Sequence, residues 1–301
     1  MTFDAAAVLT SMGLLTQQGE PVRCTVLAGG FWNDVVRVKT ARDDLVVKHF
    51  GPRSADWTLF PIVPEVEARA LEVLAGTGLA PEPLGFRPAE AERGAVLVYR
   101  FVSGRPLQNE VEDAARAIAA VHRQRAEDFR LMPVTPEEIL ADADRLPRPP
   151  ADEPLWRRLL ALRPEPVAHA APAERVLIHG DFGSGNMIVG KKASVIIDWQ
   201  CPGLGDGAED LWSFLSPAFQ AVYGGQAWDA EAIARFRAAY GDDAVLARLD
   251  VLAPFFAYRY AHYCIFRIHQ LEAGSPAQER YRQAALAGLG DLEARQSSTR
   301  S

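Results

Sequence analysis

The chain has 301 residues, of which 49% are apolar and 24% charged, and its formal net charge is −7. That is ample material for a buried core, in one large domain or two lobes. The net negative charge excludes the basic stripe expected of a nucleic-acid binder. In chain order, Met1–Leu15 carries Asp4 and no Lys or Arg and does not read as a secretory signal, and Phe3–Leu15 has loose helical spacing. Three short β-type runs follow, Arg23–Leu27, Asp34–Lys39 and Asp44–His49, separated by the turn formers Gly29-Gly30 and Asp43-Asp44. Pro64–Ala75 predicts a helix with Val66, Ala70, Leu71 and Leu74 on one stripe, and strands are predicted around Pro83–Arg87 and Gly94–Phe101.

After Gly104 the pattern becomes helical. Helices are predicted at Glu112–His122, Pro136–Asp144, Trp156–Leu162, Ala230–Tyr240, Asp243–His269 and Gln278–Glu293. Two strand signals, Val176–His179 and Ser194–Asp198, interrupt them, and proline-rich Arg145–Pro154 reads as a surface connection. Polar Ala294–Ser301 is expected to be disordered. The expected boundary lies near Gly104, giving a β-rich lobe over 1–104 and a helical lobe over 105–301. Val251–Tyr258, the most apolar run near the C-terminus, is too short to cross a bilayer. Cys24, Cys201 and Cys264 are widely spaced without a metal-ligand pattern, so reduced thiols in a cytoplasmic protein are expected.

Chemistry concentrates in His179-Gly180-Asp181-Phe182-Gly183-Ser184-Gly185-Asn186, a loop between the apolar runs Val176–Ile178 and Met187–Val189. The spacing of Asp181 and Asn186 lets one loop offer a carboxylate to a substrate hydroxyl and an amide oxygen to a magnesium ion. Further on, Val195-Ile196-Ile197 ends in Asp198, a second hard-oxygen ligand. These are the parts that phosphoryl transfer requires.

His-Gly-Asp-x-x-x-x-Asn followed by Ile197-Asp198-Trp199 resembles the signature of the aminoglycoside phosphotransferase and choline kinase-like enzymes. The resemblance runs from about Leu27 to Leu215. It implies an α+β, bilobal, protein-kinase-like fold, with an antiparallel sheet and one helix in the N-lobe and a larger, mostly helical C-lobe. It also implies an enzyme, a kinase moving the γ-phosphate of ATP or GTP onto a small-molecule hydroxyl with Mg2+, without nucleic-acid or membrane partners. An aminoglycoside or other antibiotic would be the acceptor; the alternatives are a catalytically silent nucleotide-binding module and a metabolic kinase for choline, a sugar or a hydroxy amino acid. By matching position, Asp181 would be catalytic, Asn186 and Asp198 magnesium ligands, and His179 structural. Lys48, ending an apolar strand, would hold phosphates, and Glu67 (with Glu65 as a weaker alternative) would position it. Gly29 and Gly30 resemble the phosphate-covering loop, although Phe31 and Trp32 stand where relatives carry small polar residues. The backbone of Arg100 and Val102 would meet the adenine edge. Asp210, in a Gly-Asp-Gly207 variant of the family's Gly-Asp-Pro stretch, would open a helix and accept N–H bonds from the catalytic loop. Gly180 in place of arginine, and only eleven residues between Asp198 and Asp210, exclude a protein kinase.

Acceptor clues conflict. Glu127, Asp128, Glu137, Glu138, Asp142 and Asp144 would suit a cation such as an aminoglycoside, or form a solvated face. Arg259, His262, Phe266 and His269 share one helical face, which would suit a neutral or anionic acceptor, or line a core helix. Gln200, where relatives carry Glu, would face substrate or satisfy a loop carbonyl.

Overall fold

The computed structural model describes residues 3–15, 22–27, 33–51, 59–90, 93–166, 174–191 and 193–299. Gly29 and Gly30, with the rest of the expected phosphate-covering turn, lie outside the described residues. The fold is α+β. Its contacts divide the chain into two compact units, Met1–Arg105 with Ile188–Pro202, and Pro106–Met187 with Gly203–Ser301.

The first unit is built on a five-stranded antiparallel sheet. Its strands are β1 (Arg23–Val26), β2 (Asn33–Lys39), β3 (Asp44–Phe50), β4 (Pro83–Arg87) and β5 (Val96–Arg100), in the order β1-β2-β3-β5-β4. Alternate residues Val36 and Val38, Leu45 and Val47, and Val96 and Val98 point to one face, where a strand's period of two places them together. Helix α1 (Ala5–Ser11) covers that face with Ala5 and Leu9, and Asp4 caps it by accepting from the Ala7 N–H at 3.0 Å. Helix α2 (Pro64–Val73) begins with proline at its first position and carries Glu65 and Glu67 in its first turn, where the helix dipole favours acids. Between the sheet's last strand and the second unit the chain makes the short β6 (Arg105–Pro106). It re-enters the first unit through β8 (Met187–Val189) and β9 (Ser194–Ile196), whose turn is closed by the Gly190 N–H donating to the Ala193 carbonyl at 3.1 Å. The Ile196 N–H then donates to the Leu79 carbonyl at 2.9 Å, which ties this return segment to the chain just after α2.

The second unit is helical: α3 (Val111–His122), α4 (Pro136–Arg145), α5 (Pro154–Ala161), α6 (Gly207–Leu215), α7 (Pro217–Val222), α8 (Ala230–Tyr240), α9 (Asp243–Gln270) and α10 (Pro276–Thr299). Strands β7 (Val176–Ile178) and β10 (Gly203–Gly205) pair antiparallel, with Leu177 opposite Leu204. Helix α9 forms the centre, packing against α4, α5, α6, α7 and α10, and is buried without a break from Phe255 to Ile268. It passes through Pro254.

Two expectations need correction. The described part of the polar tail, 294–299, is not disordered: α10 continues through it to Thr299. Tertiary contacts hold it there, because Arg158 pairs with Glu293 through two 2.7 Å bonds and Gln296 reaches the Leu162 carbonyl at 3.4 Å. Asp210 does not open its helix. Helix α6 starts at Gly207, and Asp206 is the cap, accepting from the Ala208 N–H at 3.0 Å.

Candidate active site

In the first unit, β3 carries Lys48 and α2 carries Glu67, both almost fully buried. The Lys48 ammonium donates to both Glu67 oxygens at 2.8 Å and to Asp198 Oδ1 at 2.5 Å. Glu65 is exposed and Glu67 takes the pairing, because only Glu67 falls on the buried stripe with Ala68, Ala70 and Leu71. Burial works against the Lys48 charge, but Asp198 and Glu67 more than offset it, so its pKa lies above the usual lysine range. Burial pushes the Glu67 carboxyl up, and the Lys48 charge opposes that shift. Tyr99 on β5 is also raised, first by burial. Asp198 differs from its partners in being accessible, with 32% of its side chain exposed. Its backbone is left-handed, with φ of 65°, and the next ring, Trp199, is fully buried and donates its indole N–H to the Ile196 carbonyl at 2.9 Å. The turn thus projects a carboxylate between two fully buried residues, Ile196 and Trp199. Gln200 accepts from the Asn33 amide at 2.9 Å, so its oxygen serves β2.

At the end of β5, the Arg100 N–H donates to the Glu82 carbonyl at 2.9 Å and the Phe101 N–H to the Asp44 carbonyl at 2.8 Å. Antiparallel alternation therefore turns both backbone groups of Arg100 to the side of β4, and its carbonyl is the group it has left to offer. Val102 follows outside the strand.

In the second unit, the loop after β7 holds Asp181 and Asn186 within hydrogen-bonding distance. The Asn186 amide donates to the Asp181 carbonyl at 2.8 Å and lies 3.4 Å from its Oδ2. This contact fixes the loop and leaves the amide oxygen of Asn186 as the atom it can present. His179 is fully buried and accepts the Asp181 N–H at Nδ1, at 3.2 Å. Fully buried Asp210 accepts from the His179 N–H at 2.7 Å and from the Gly180 N–H at 2.9 Å. Two further residues that the sequence did not single out complete this arrangement. His122, at the end of α3, lies 3.1 Å from Asp210 Oδ2 and 2.9 Å from the Tyr240 hydroxyl. A Cβ at position 207 would come within 2.8 Å of that imidazole, which accounts for glycine where the family usually has proline. Tyr223, just after α7, donates its hydroxyl to both Asp181 oxygens, at 2.9 and 3.0 Å. Neither residue has a local sequence signature.

Both acceptor clues in the sequence have structural partners. Glu127 pairs with Arg125, Asp144 with Arg163, and Asp142 with Arg145 and Arg259. Glu138 accepts the Val134 N–H at 2.8 Å. On α9, Arg259 also pairs with Glu209, His262 contacts the Pro147 carbonyl at 3.2 Å, and His269 pairs with Glu153 at 3.2 Å. Burial holds the His262 pKa down and the Glu209 carboxyl up.

The metal-binding potential rests on donor type. Among the described residues no cluster of three or more His, Cys, Asp or Glu side chains is suited to a metal. One carboxylate (Asp198) and one amide oxygen (Asn186) are nevertheless hard donors of the kind magnesium takes when phosphate oxygens and water supply the rest. Each, taken by itself, is a donor of the type such an ion accepts.

Among solved structures, the chain is similar to spectinomycin phosphotransferase in complex with ADP and spectinomycin (14% identity, TM-score 0.62, 97% of this chain and 98% of that one). It is also similar to choline kinase from Cryptosporidium parvum Iowa II (11%, TM-score 0.65, 98% and 96%). A third similar structure is amicoumacin kinase in complex with AMP-PNP, Ca2+ and Ami (17%, TM-score 0.62, 97% and 94%). The fold they share with this chain is the protein-kinase-like one that its motifs imply. No curated protein matches the chain. The profile of the phosphotransferase enzyme family spans residues 23–254, well over half of the sequence. The chain therefore belongs to the phosphotransferase enzyme family.

Proposed function

We propose that the protein transfers the γ-phosphate of ATP or GTP to a hydroxyl of a small molecule, in the cytoplasm. The observation that carries this reading is the Lys48 ammonium, buried, held by Glu67 and reaching a partly exposed Asp198. A lysine oriented in this way is suited to gripping the triphosphate, with the backbone of Arg100 and Val102 receiving the base and Gly29 and Gly30 covering the phosphates. Asn186 and Asp198 would hold magnesium, which when bound would offset charge on the phosphate oxygens. Asp181 orients the acceptor hydroxyl and takes its proton as the oxygen attacks phosphorus. Asp210 keeps the backbone of that loop in place through the His179 and Gly180 N–H groups.

The acceptor is a hydroxylated small molecule. Spectinomycin, choline and amicoumacin, named for the similar structures, head the screen, with aminoglycosides, sugars and hydroxy amino acids beside them. Transfer of labelled phosphate from Mg-ATP or Mg-GTP to one of these, lost in Asp181→Asn, is the expected result. In thermal-shift assays, Mg-ATP should stabilise the wild type and Asp181→Asn but not Asp198→Asn. Nucleotide binding with no transfer and no hydrolysis would sink the enzyme reading in favour of a silent module.

A further inference from the structure

We infer that Tyr223 is a positioning residue that masks the Asp181 carboxylate from water until the acceptor hydroxyl displaces it. The inference rests on the phosphotransfer reading above and extends it to a residue outside the motifs. One phenol hydroxyl donates to both carboxylate oxygens, at 2.9 and 3.0 Å, and so lies on the atoms that a water or an acceptor must approach. A charge-assisted contact of this kind is among the stronger hydrogen bonds a side chain makes.

The setting suits a movable cover on a fixed mount. The backbone carrying Tyr223 is pinned to the catalytic loop by Gln220, which accepts from the Ser184 hydroxyl at 3.0 Å and donates to the Phe214 carbonyl at 2.8 Å. The Gly225 N–H closes the same turn on the Gln220 carbonyl at 2.8 Å. The ring itself remains 41% exposed. It lies against two glycines of the loop: a Cβ at Gly185 would meet it at 3.4 Å and one at Gly183 at 3.5 Å. Both distances are ordinary van der Waals contact, so the ring packs directly on this stretch of the loop. Buried Phe219 packs beside it, with ring centroids 6.3 Å apart. An exposed aromatic that must leave when the acceptor arrives also forms a wall of the acceptor site.

The reaction held back is hydrolysis of the nucleotide. Water oxygen bonds to the γ-phosphorus, the bond to the β-phosphate oxygen breaks, ADP leaves and the water proton passes to Asp181. With the Tyr223 hydroxyl close to both Asp181 oxygens, water must compete with the phenol for the carboxylate; an acceptor bound by its whole surface exchanges for the phenol more readily than a single water does.

The test is acceptor-free release of phosphate from Mg-ATP by the full chain, comparing wild type, Tyr223→Phe, Asp181→Asn and the double variant. Tyr223→Phe keeps the ring and its packing, and the variant should melt cooperatively, lowered by no more than the one lost hydrogen bond. Its hydrolysis rate should rise about tenfold, the equivalent of one charge-assisted hydrogen bond at the weak end of its range. The rise should vanish in the double variant. An unchanged or lower rate in Tyr223→Phe, with wild-type hydrolysis still dependent on Asp181, overturns the mask alone and leaves the kinase reading standing. No Asp181-dependent hydrolysis in either protein, under conditions where Mg-ATP binds, overturns the phosphotransfer reading and the mask with it.

Discussion

Replacing Lys48 by Met tests the electrostatic account of the first unit without reference to any substrate. The substitution keeps the stem's volume and removes the charge that both Glu67 oxygens accept from at 2.8 Å. Glu67 is then a carboxylate only 2% exposed, with Asp198 as its nearest charge. Its least costly response is to take a proton. Relative to the ordinary glutamate value of 4.5, holding it neutral near pH 7 costs about 3.4 kcal/mol, at about 1.4 kcal/mol per pH unit. Near pH 5 the same step costs about 0.8 kcal/mol. The sign follows from the folded group having its pKa above the unfolded one. The folded state binds the extra proton, so stability is lost as pH rises from the unfolded value upward. The variant should therefore be about 3 kcal/mol less stable than wild type near pH 7, in line with breaking a buried pair. Because burial also raises the Glu67 carboxyl in the wild type, both proteins gain stability between pH 7 and pH 5, and the deficit should narrow at the lower pH only by the part of the rise that Lys48 opposes. Urea unfolding followed by circular dichroism, on both proteins at both pH values, gives the difference directly. A deficit that is equal at the two pH values, or larger at the lower one, would refute the reasoning.

Other substitutions probe the second unit. Asp210→Asn turns an amide NH2 toward one of the two N–H donors that the carboxylate now satisfies, and should cost about 1–3 kcal/mol in thermal or urea unfolding while reducing Mg-ATP turnover. Gly207→Ala drives a Cβ to 2.8 Å from His122 and 3.2 Å from the Tyr240 hydroxyl. It should destabilise by about 1–3 kcal/mol through overpacking, and a melt indistinguishable from wild type would show that His122 moves aside. Arg259→Leu strands Glu209 and should cost about 3–5 kcal/mol, most of it recovered in the Arg259→Leu, Glu209→Leu double variant. A double variant no better than the single one would show that the arginine, not the stranded acid, was the source of the loss.

Much of this architecture is legible in the sequence. The period-two runs around Val36, Val47 and Val98 and the helical stripe around Ala70 specify strands and a helix because one face of each must be buried. Asp181, Asn186 and Asp198 are legible for another reason, since each sits beside an apolar run whose end is easy to locate. What stays hidden is tertiary. The return of Ile188–Pro202 to the first unit depends on pairings such as Ile196 with Leu79, which have no local mark. The tail's helicity depends on Arg158 and Leu162, far earlier in the chain. His122 ends a helix and Tyr223 follows one, positions where either residue type is unremarkable until Asp210 and Asp181 are seen beside them. The pairing of one acceptor clue with the other, as of Arg259 with Asp142, is likewise visible only in three dimensions.

The left-handed backbone at Asp198 limits what can stand there. Aspartate, asparagine and glycine accept that geometry readily, whereas alanine or a β-branched residue adds strain of about 1–2 kcal/mol. Drift at this position is therefore channelled. A descendant that abandons its carboxylate has asparagine or glycine as the unstrained exits, and of these only asparagine retains the side chain's shape. An amide at this point in an otherwise intact chain would mark chemistry given up while the turn itself was kept.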